Sequence, residues 1–322
     1  MFLVVVSVFD MNCFNPIYID DPDVFAWNSY AREHGLEQSV KKIAVPCGCC
    51  QACVYSSAQE WRVRLKEEFY SSQNAVFFTL TYCDECLPLS VGTTFGGDRV
   101  VVPCVSKRDI QLFLKRLREY FRQEFHFDGL RYYICSEYGP TTFRPHYHGI
   151  LFNIPGFDPR SDVSLHKVTQ TIAEKWSNGF VKVDLVNPER IGYITKYLSC
   201  TMDLPSEYVR PFRLMSRRPA IGSSYLDKTD RIRWHHDNLA TYVPDGMFKY
   251  RLPRYYKRKI FDDDELTMIR QLYQEKLSRI QSQFDVESDY NDFCHGISKE
   301  RDKRDKFIRN FNNKYKKSRK DV

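Results

Sequence analysis

Two histidines one residue apart, His146 and His148, run directly into the apolar stretch Gly149-Ile150-Leu151-Phe152. Side chains alternate along an extended strand, so both imidazoles fall on one face and can ligate a single metal ion. Further along, Tyr193-Ile194-Thr195-Lys196-Tyr197 sets two tyrosines on one side of a helix. A cation that polarises a phosphate, beside a phenol that attacks it, would cut a phosphodiester and leave the phosphate on tyrosine. Neither half is specific alone. A His-x-His strand is more often a satisfied polar face, and tyrosines at helical spacing more often pack. Their order, strand then helix, and the basic residues beside them give the combination its meaning.

Two imidazoles leave coordination positions for oxygen. Glu137 ends the preceding predicted strand, and an antiparallel pairing would turn it toward the histidines. His146, His148 and Glu137 with open positions suit Mg²⁺ or Mn²⁺ and leave room for a phosphate oxygen. Tyrosine has a pKa of about 10, so Tyr193 or Tyr197 needs nearby positive charge to attack. The metal or Lys196 can supply it, and Lys196 can also protonate the leaving 3′ oxygen. A 5′-phosphotyrosine conserves the phosphodiester energy, so a later 3′-hydroxyl can reseal the strand. Two tyrosines would let one hold an end while the other cuts again.

The elements that must position these groups are legible in outline. Val76-Phe77-Phe78-Thr79-Leu80-Thr81 is rich in β-branched and aromatic residues and predicts a strand over 75–82. Further strands are expected over 130–136, 146–152 and 180–186, with a turn over 139–145. Ser106 with Asp109 resembles a capping box, and Ile110, Phe113, Leu114, Leu117 and Phe121 follow at helical spacing. Helices are also expected over 59–70, 165–176 and 263–284. Asn187-Pro188 suits a helix start, with Ile191, Ile194 and Leu198 as its buried stripe and Arg190 on the side of the tyrosines. Strand, helix, strand, strand, helix, strand, helix describes an α+β domain with a largely antiparallel central sheet flanked by helices. The expected division is a cysteine-rich segment over 1–70, a core over 71–205, a basic loop-rich extension over 206–262, and a helical, basic tail over 263–322.

The chain has 322 residues, 48 Lys and Arg against 41 Asp and Glu, and a formal charge of +7. That mild but unevenly placed excess favours a polyanion partner. The apolar start over 2–9 is too short to span a membrane and has no preceding Lys or Arg, so neither a signal peptide nor membrane insertion is expected. Met11 is an alternative start. With 11 cysteines and no secretion signal, thiols or metal ligands in a reducing cytosol are expected over disulfides. Arg213, Arg217 and Arg218, then Arg254, Tyr255, Tyr256 and Lys257, mix cations with aromatic rings, as suits phosphate contact and stacking on unpaired bases.

These residues resemble the HUH endonuclease superfamily, and within it the replication initiators of gokushovirus-type microviruses. Phe77-Phe78-Thr79-Leu80-Thr81-Tyr82 looks like the first motif, Arg144-Pro145-His146-Tyr147-His148-Gly149-Ile150-Leu151-Phe152 the metal motif, and Tyr193-Ile194-Thr195-Lys196-Tyr197 the nucleophile motif. The blocks 213–222 and 252–256 are similar to others of the same phage group. The resemblance implies a ferredoxin-like (RRM-like) core that nicks origin DNA and starts rolling-circle replication in the cytoplasm of a bacterial host. Single-stranded and origin DNA would be its substrates. Host helicase and polymerase would be its partners, since the sequence has no phosphate-binding loop of its own.

Relatives of that kind carry a cysteine series where this chain has Cys47, Cys50 and Cys53, and often a histidine near Cys86. The resemblance thus implies a structural Zn²⁺ held by Cys47, Cys50, Cys53 and Cys86. Two other readings stand beside the nicking enzyme. One is a zinc-stabilised DNA-binding protein without catalysis, and the other is a relaxase or transposase of the same superfamily. Relaxases place the tyrosine ahead of the histidines, and transposases of this kind are usually shorter with one tyrosine.

Overall fold

The computed structural model describes residues 13, 15–20, 22–36, 42–139, 141–187, 191, 192, 195 and 204–285. The chain forms two units, residues 1–54 with 261–322, and residues 55–260. In the first, β1 (Ile17–Asp20) and β2 (Lys42–Val45) pair antiparallel around α1 (Pro22–Glu33). Irregular chain was expected over 1–60, yet α2 runs Gln51–Ser71. Val54, Ala58 and Leu65, all buried, keep a helical stripe going through the cysteine-rich stretch. The boundary expected at residue 70 therefore falls inside α2.

The second unit is built on five antiparallel strands. These are β3 (Ala75–Thr81), β6 (Arg131–Tyr138), β7 (Pro145–Phe152), β8 (Val181–Leu185) and β9 (Arg213–Met215), in the spatial order β8-β3-β7-β6-β9. Between β3 and β6, β4 (Leu89–Thr93) and β5 (Arg99–Pro103) form a separate hairpin around the expected loop. The apolar pattern of β3 and β7 covers both sheet faces, because helices cover both.

On one face lie α3 (Lys107–Phe125) and α4 (Asp162–Trp176). Ile110, Phe113, Leu114 and Leu117 of α3, with Ile172 and Trp176 of α4, pack on Val76, Phe78, Leu80, Ile134, Tyr147 and Leu151. Each such burial contributes roughly 1.5–3 kcal/mol. Ser106 caps α3, its hydroxyl accepting from the Asp109 N–H at 3.2 Å, as its spacing indicated. Tyr147, between the two histidines, points to this face. Its hydroxyl accepts from the Ser106 N–H at 2.7 Å and pairs with the Tyr82 hydroxyl at 2.9 Å. The cap of α3 therefore locks the side of the strand on which the histidines must lie.

The opposite face carries Phe77, Tyr133, Cys135 and Ile150, packed with Leu65 and Trp61 of α2 and with Ile191 and Ile221. Residues 206–260 are structured and belong to this same unit, because β9 extends the sheet at the edge of β6. They include α5 (Thr229–Asn238), the β10 (Tyr242–Asp245) and β11 (Phe248–Arg251) hairpin, and α6 (Arg254–Ile260). The Asp245-Gly246 pair marks the hairpin turn, with Gly246 at φ 61°. In the first unit, α7 (Asp263–Asp285) opens on a reciprocal cap between Asp262 and Glu265, at 2.8 and 3.0 Å.

Candidate active site

Cross-strand register assembles the site on the α2 side of the sheet. His146 stands opposite Thr81 of β3 and Glu137 of β6, and His148 stands opposite Thr79 and Cys135. The imidazole planes are within 3° of parallel, with centroids 6.5 Å apart. Glu137 Oε2 lies 3.3 Å from His148 Nε2, so the carboxylate reaches diagonally past its direct partner. Both groups are mostly buried at 12% and 14% side-chain exposure, which concentrates electrostatic effects at a site still open enough for a ligand.

The hydrogen bonds decide which nitrogens can bind a cation. His146 Nδ1 lies 2.7 Å from the Arg144 carbonyl, which can only accept. The ring therefore donates Nδ1–H and keeps the Nε2 lone pair available. Burial lowers the His146 pKa, outweighing the Arg144 carbonyl, which raises it; the neutral, ligating ring is favoured. His148 Nδ1 contacts Thr79 Oγ1 at 3.0 Å. A hydroxyl can donate or accept, so Thr79 suits His148 whether Nε2 donates to Glu137 or binds a cation. Thr79 was not singled out from the sequence; only the register places it. The Arg144 guanidinium fixes the preceding turn through Asp84 at 2.7 Å and the Tyr82 carbonyl at 2.8 Å.

Tyr193, Lys196, Tyr197 and Arg190 lie outside the described residues. Their neighbours Ile191, Gly192 and Thr195 do not. The Ile191 N–H bonds the Asn187 carbonyl at 3.2 Å, consistent with a helix starting at Asn187. Ile191 is fully buried among Phe77, Tyr133, Cys135 and Ile150, on the same sheet face as the histidines. Thr195 is buried and bonds the Gly192 carbonyl at 2.9 Å. A side chain built at Gly192 would come within 3.9 Å of the Arg62 guanidinium. Arg62 Nε is buried and has no hydrogen-bond partner among the described residues. Nothing in the local sequence pattern distinguishes this cation from the others on α2.

The cations expected to meet nucleic acid divide by location. Arg213 is opposite Cys135, on the histidine face, and its guanidinium lies 5.9 Å from the Trp61 ring. Arg217 and Arg218 are exposed on the rim of a cleft of about 770 Å³ at the β6–β9 edge, with Lys107, Arg118, Arg131 and Tyr132. Arg254 is exposed and 3.8 Å from Glu60, while Tyr255 carries the Arg64 guanidinium 4.6 Å above its ring. Lys257 is half-buried. Tyr256 requires correction as a base-stacking residue. It is fully buried, stacked on Tyr225 at 4.5 Å, and donates to the Gly222 carbonyl at 2.6 Å. It belongs to the apolar stripe it shares with Ile260, one helical turn away.

The thiols gather differently from expectation. Cys13, Cys47, Cys50 and Cys53 hold their sulfurs within 4.8 Å of one another. Cys86, expected as the fourth, is exposed in the other unit, its pKa raised chiefly by a hydrogen bond with Cys83. Its place is taken by Cys13, which lies too far along the chain from Cys47 for spacing to reveal it.

Residues 75–202, which hold β3, β6, β7, β8 and the start of the tyrosine segment, match the model of the replication-associated protein ORF2 family. These findings place the chain among phage replication-associated proteins. It is 28% identical to replication-associated protein ORF2 of Spiroplasma virus 4, over 67% of this chain and 68% of that one. It is 27% identical to replication-associated protein VP4 of Bdellovibrio phage phiMH2K, over 69% of each. No solved structure matches. Among the described residues, no helix is long and apolar enough to cross a membrane.

Proposed function

We propose that this chain initiates replication of a single-stranded DNA phage by nicking origin DNA and holding the new 5′ end on Tyr193 or Tyr197. In this reading the sheet is an HUH endonuclease core of ferredoxin-like type. The observation that carries it is co-facial placement. His146, His148 and Glu137 share one side of the sheet with Ile191, two residues before Tyr193. The donor set fits a hard divalent ion: His146 offers a free Nε2, His148 is steadied by Thr79, and Glu137 supplies oxygen. Bound Mg²⁺ or Mn²⁺ would neutralise charge developing on the non-bridging oxygens of the scissile phosphate.

The tyrosine oxygen forms a bond to phosphorus as the bond from phosphorus to the 3′ oxygen breaks. The phenolic proton passes to solvent, and Lys196 protonates the departing 3′ oxygen. Phosphodiester energy is retained in the 5′-phosphotyrosine, so a 3′-hydroxyl can reverse the step and join ends. Arg213, and the cleft cations Lys107, Arg118, Arg217 and Arg218, would hold the DNA backbone and make binding salt-sensitive. Unwinding and synthesis fall to a helicase and polymerase of the bacterial host, in its cytoplasm.

Incubation with Mn²⁺ and a labelled single-stranded origin oligonucleotide should give an adduct that survives denaturation. Tyr193→Phe with Tyr197→Phe should abolish it, and His146→Ala or His148→Ala should suppress cleavage. An adduct that persists in the double tyrosine variant would refute the assignment. Salt-sensitive binding with no cleavage by the parent chain would instead favour a non-catalytic DNA-binding protein.

A further inference from the structure

We propose that Cys13, Cys47, Cys50 and Cys53 form a closed tetrathiolate site for one Zn²⁺. The sulfur separations carry the proposal. Cys13 Sγ and Cys50 Sγ are 3.8 Å apart, and Cys47 Sγ and Cys53 Sγ 4.0 Å. Zinc–sulfur bonds of about 2.3 Å at tetrahedral angles place neighbouring sulfurs roughly 3.8 Å apart. A disulfide would need about 2.05 Å, and all four cysteines are free. Four sulfurs so spaced surround a point that one ion can occupy, and an all-sulfur donor set selects zinc or iron over Mg²⁺ or Mn²⁺.

The backbone supports thiolates at this position. The Cys47 N–H donates to Cys13 Sγ at 3.3 Å, and the Cys50 N–H donates to Cys47 Sγ at 3.3 Å. Gly48, at φ 76° with nothing within 4 Å of a built Cβ, supplies the left-handed step that turns Cys50 back onto Cys47. Cys53 sits in the first turn of α2, where the positive end of the helix dipole favours an anionic sulfur. Cys49 is exposed and outside the cluster.

The local architecture gives the ion a task. Cys13 precedes β1 and Cys47 follows β2, so the site closes the end of the hairpin where Ile17 pairs with Val45. All four residues of β1 are exposed, with Ile17 at 51% and Tyr18 at 52%. Little apolar burial holds this strand, and an isolated two-stranded hairpin is marginal in water. A metal clip joining both hairpin ends to the start of α2 supplies the missing constraint.

Metal analysis of the full chain purified from zinc-supplied cells should find one zinc per chain. Exchange into Co²⁺ should produce the visible absorption of a tetrahedral cobalt thiolate. Cys13→Ser or Cys47→Ser should lose the metal, whereas Cys49→Ser and Cys86→Ser should retain it. A serine variant can lose zinc simply by unfolding, so Cys13→His provides the second measurement. It should keep the ion and shift the cobalt bands as nitrogen replaces sulfur. A metal-free parent chain, iron in place of zinc, an unshifted spectrum in Cys13→His, or metal loss in Cys86→Ser but not Cys13→Ser would each overturn the proposal.

Discussion

Thr79→Val tests whether the histidine pair is tuned from the neighbouring strand. Valine replaces the hydroxyl with a methyl on a residue paired with His148, removing the 3.0 Å contact to Nδ1. The stability cost is that of one hydrogen bond, about 1 kcal/mol, or a melting shift of roughly 2–4 °C in a unit of this size. The effect on cation binding should be larger in relative terms. With Nε2 committed to a metal, His148 must carry its proton on Nδ1, and the variant leaves that N–H without its acceptor. Loss of such an outer partner typically costs about 10–100-fold in affinity or activity, equivalent to roughly 1.4–2.8 kcal/mol. In an oligonucleotide-nicking assay titrated with Mn²⁺, the half-saturating concentration should rise by that factor, while the rate at saturating Mn²⁺ stays near that of the parent. Thr79→Ser should restore the parent curve. The reasoning fails if Thr79→Val leaves the Mn²⁺ dependence unchanged, or if Thr79→Ser is as impaired as Thr79→Val.

Three further perturbations probe the frame. Gly149→Ala would put a Cβ 2.2 Å from Phe78 Cζ, in a buried layer where that ring packs on Phe113. Overpacking should cost about 1–3 kcal/mol in thermal unfolding, and adding Phe78→Leu should recover part of it; an unchanged melting temperature would contradict the packing. Glu68, 5% exposed, is gripped by Arg131 and accepts the Gly222 N–H at 2.7 Å. Arg131 in turn holds the Pro219 and Ala220 carbonyls at 2.9 and 3.0 Å. Glu68→Ala strands a mostly buried guanidinium and should cost ~3–5 kcal/mol by denaturant unfolding; a cost below about 1 kcal/mol, typical of exposed pairs, would refute that reading. Buried His235 has a lowered pKa because burial disfavours its charged form; its ring contacts Tyr225 Oη at 2.8 Å and the Ala240 carbonyl at 2.6 Å. The unfolded chain takes up the proton near pH 6.5 and the native one only at lower pH, so this contribution to stability is lost as pH falls below about 6.5. Parent and His235→Gln unfolding curves should converge as pH falls from 7 to 5, and a constant separation would contradict the sign.

Features set by local period were legible in the sequence, and features set by closure between distant segments were not. Alternation placed His146 and His148 on one side of β7, and an assumed antiparallel turn was enough to bring Glu137 across from His146. The cap at Ser106 and the stripe through Phe121 likewise depend on residues within a few turns of one another. Thr79 looked like an ordinary polar member of a strand until β3 was registered against β7. Tyr256 misled for a different reason: cations on either side suggested a stacking platform, yet its helical spacing to Ile260 already described a buried stripe. Local period should have outweighed composition there.

Cysteines show the same division most sharply. A short Cys-x-x-Cys spacing identifies a knuckle because the turn between its thiols is local, and Cys47, Cys50 and Cys53 do converge. The fourth sulfur is fixed by how a hairpin closes, and any distant cysteine satisfies the sequence equally well. Cys86 was favoured because it stands beside the first core strand; Cys13 is in place because pairing of Ile17 with Val45 carries the chain before β1 back to the chain after β2. The choice between them was therefore a question about strand pairing, which no count of cysteines or intervals could answer.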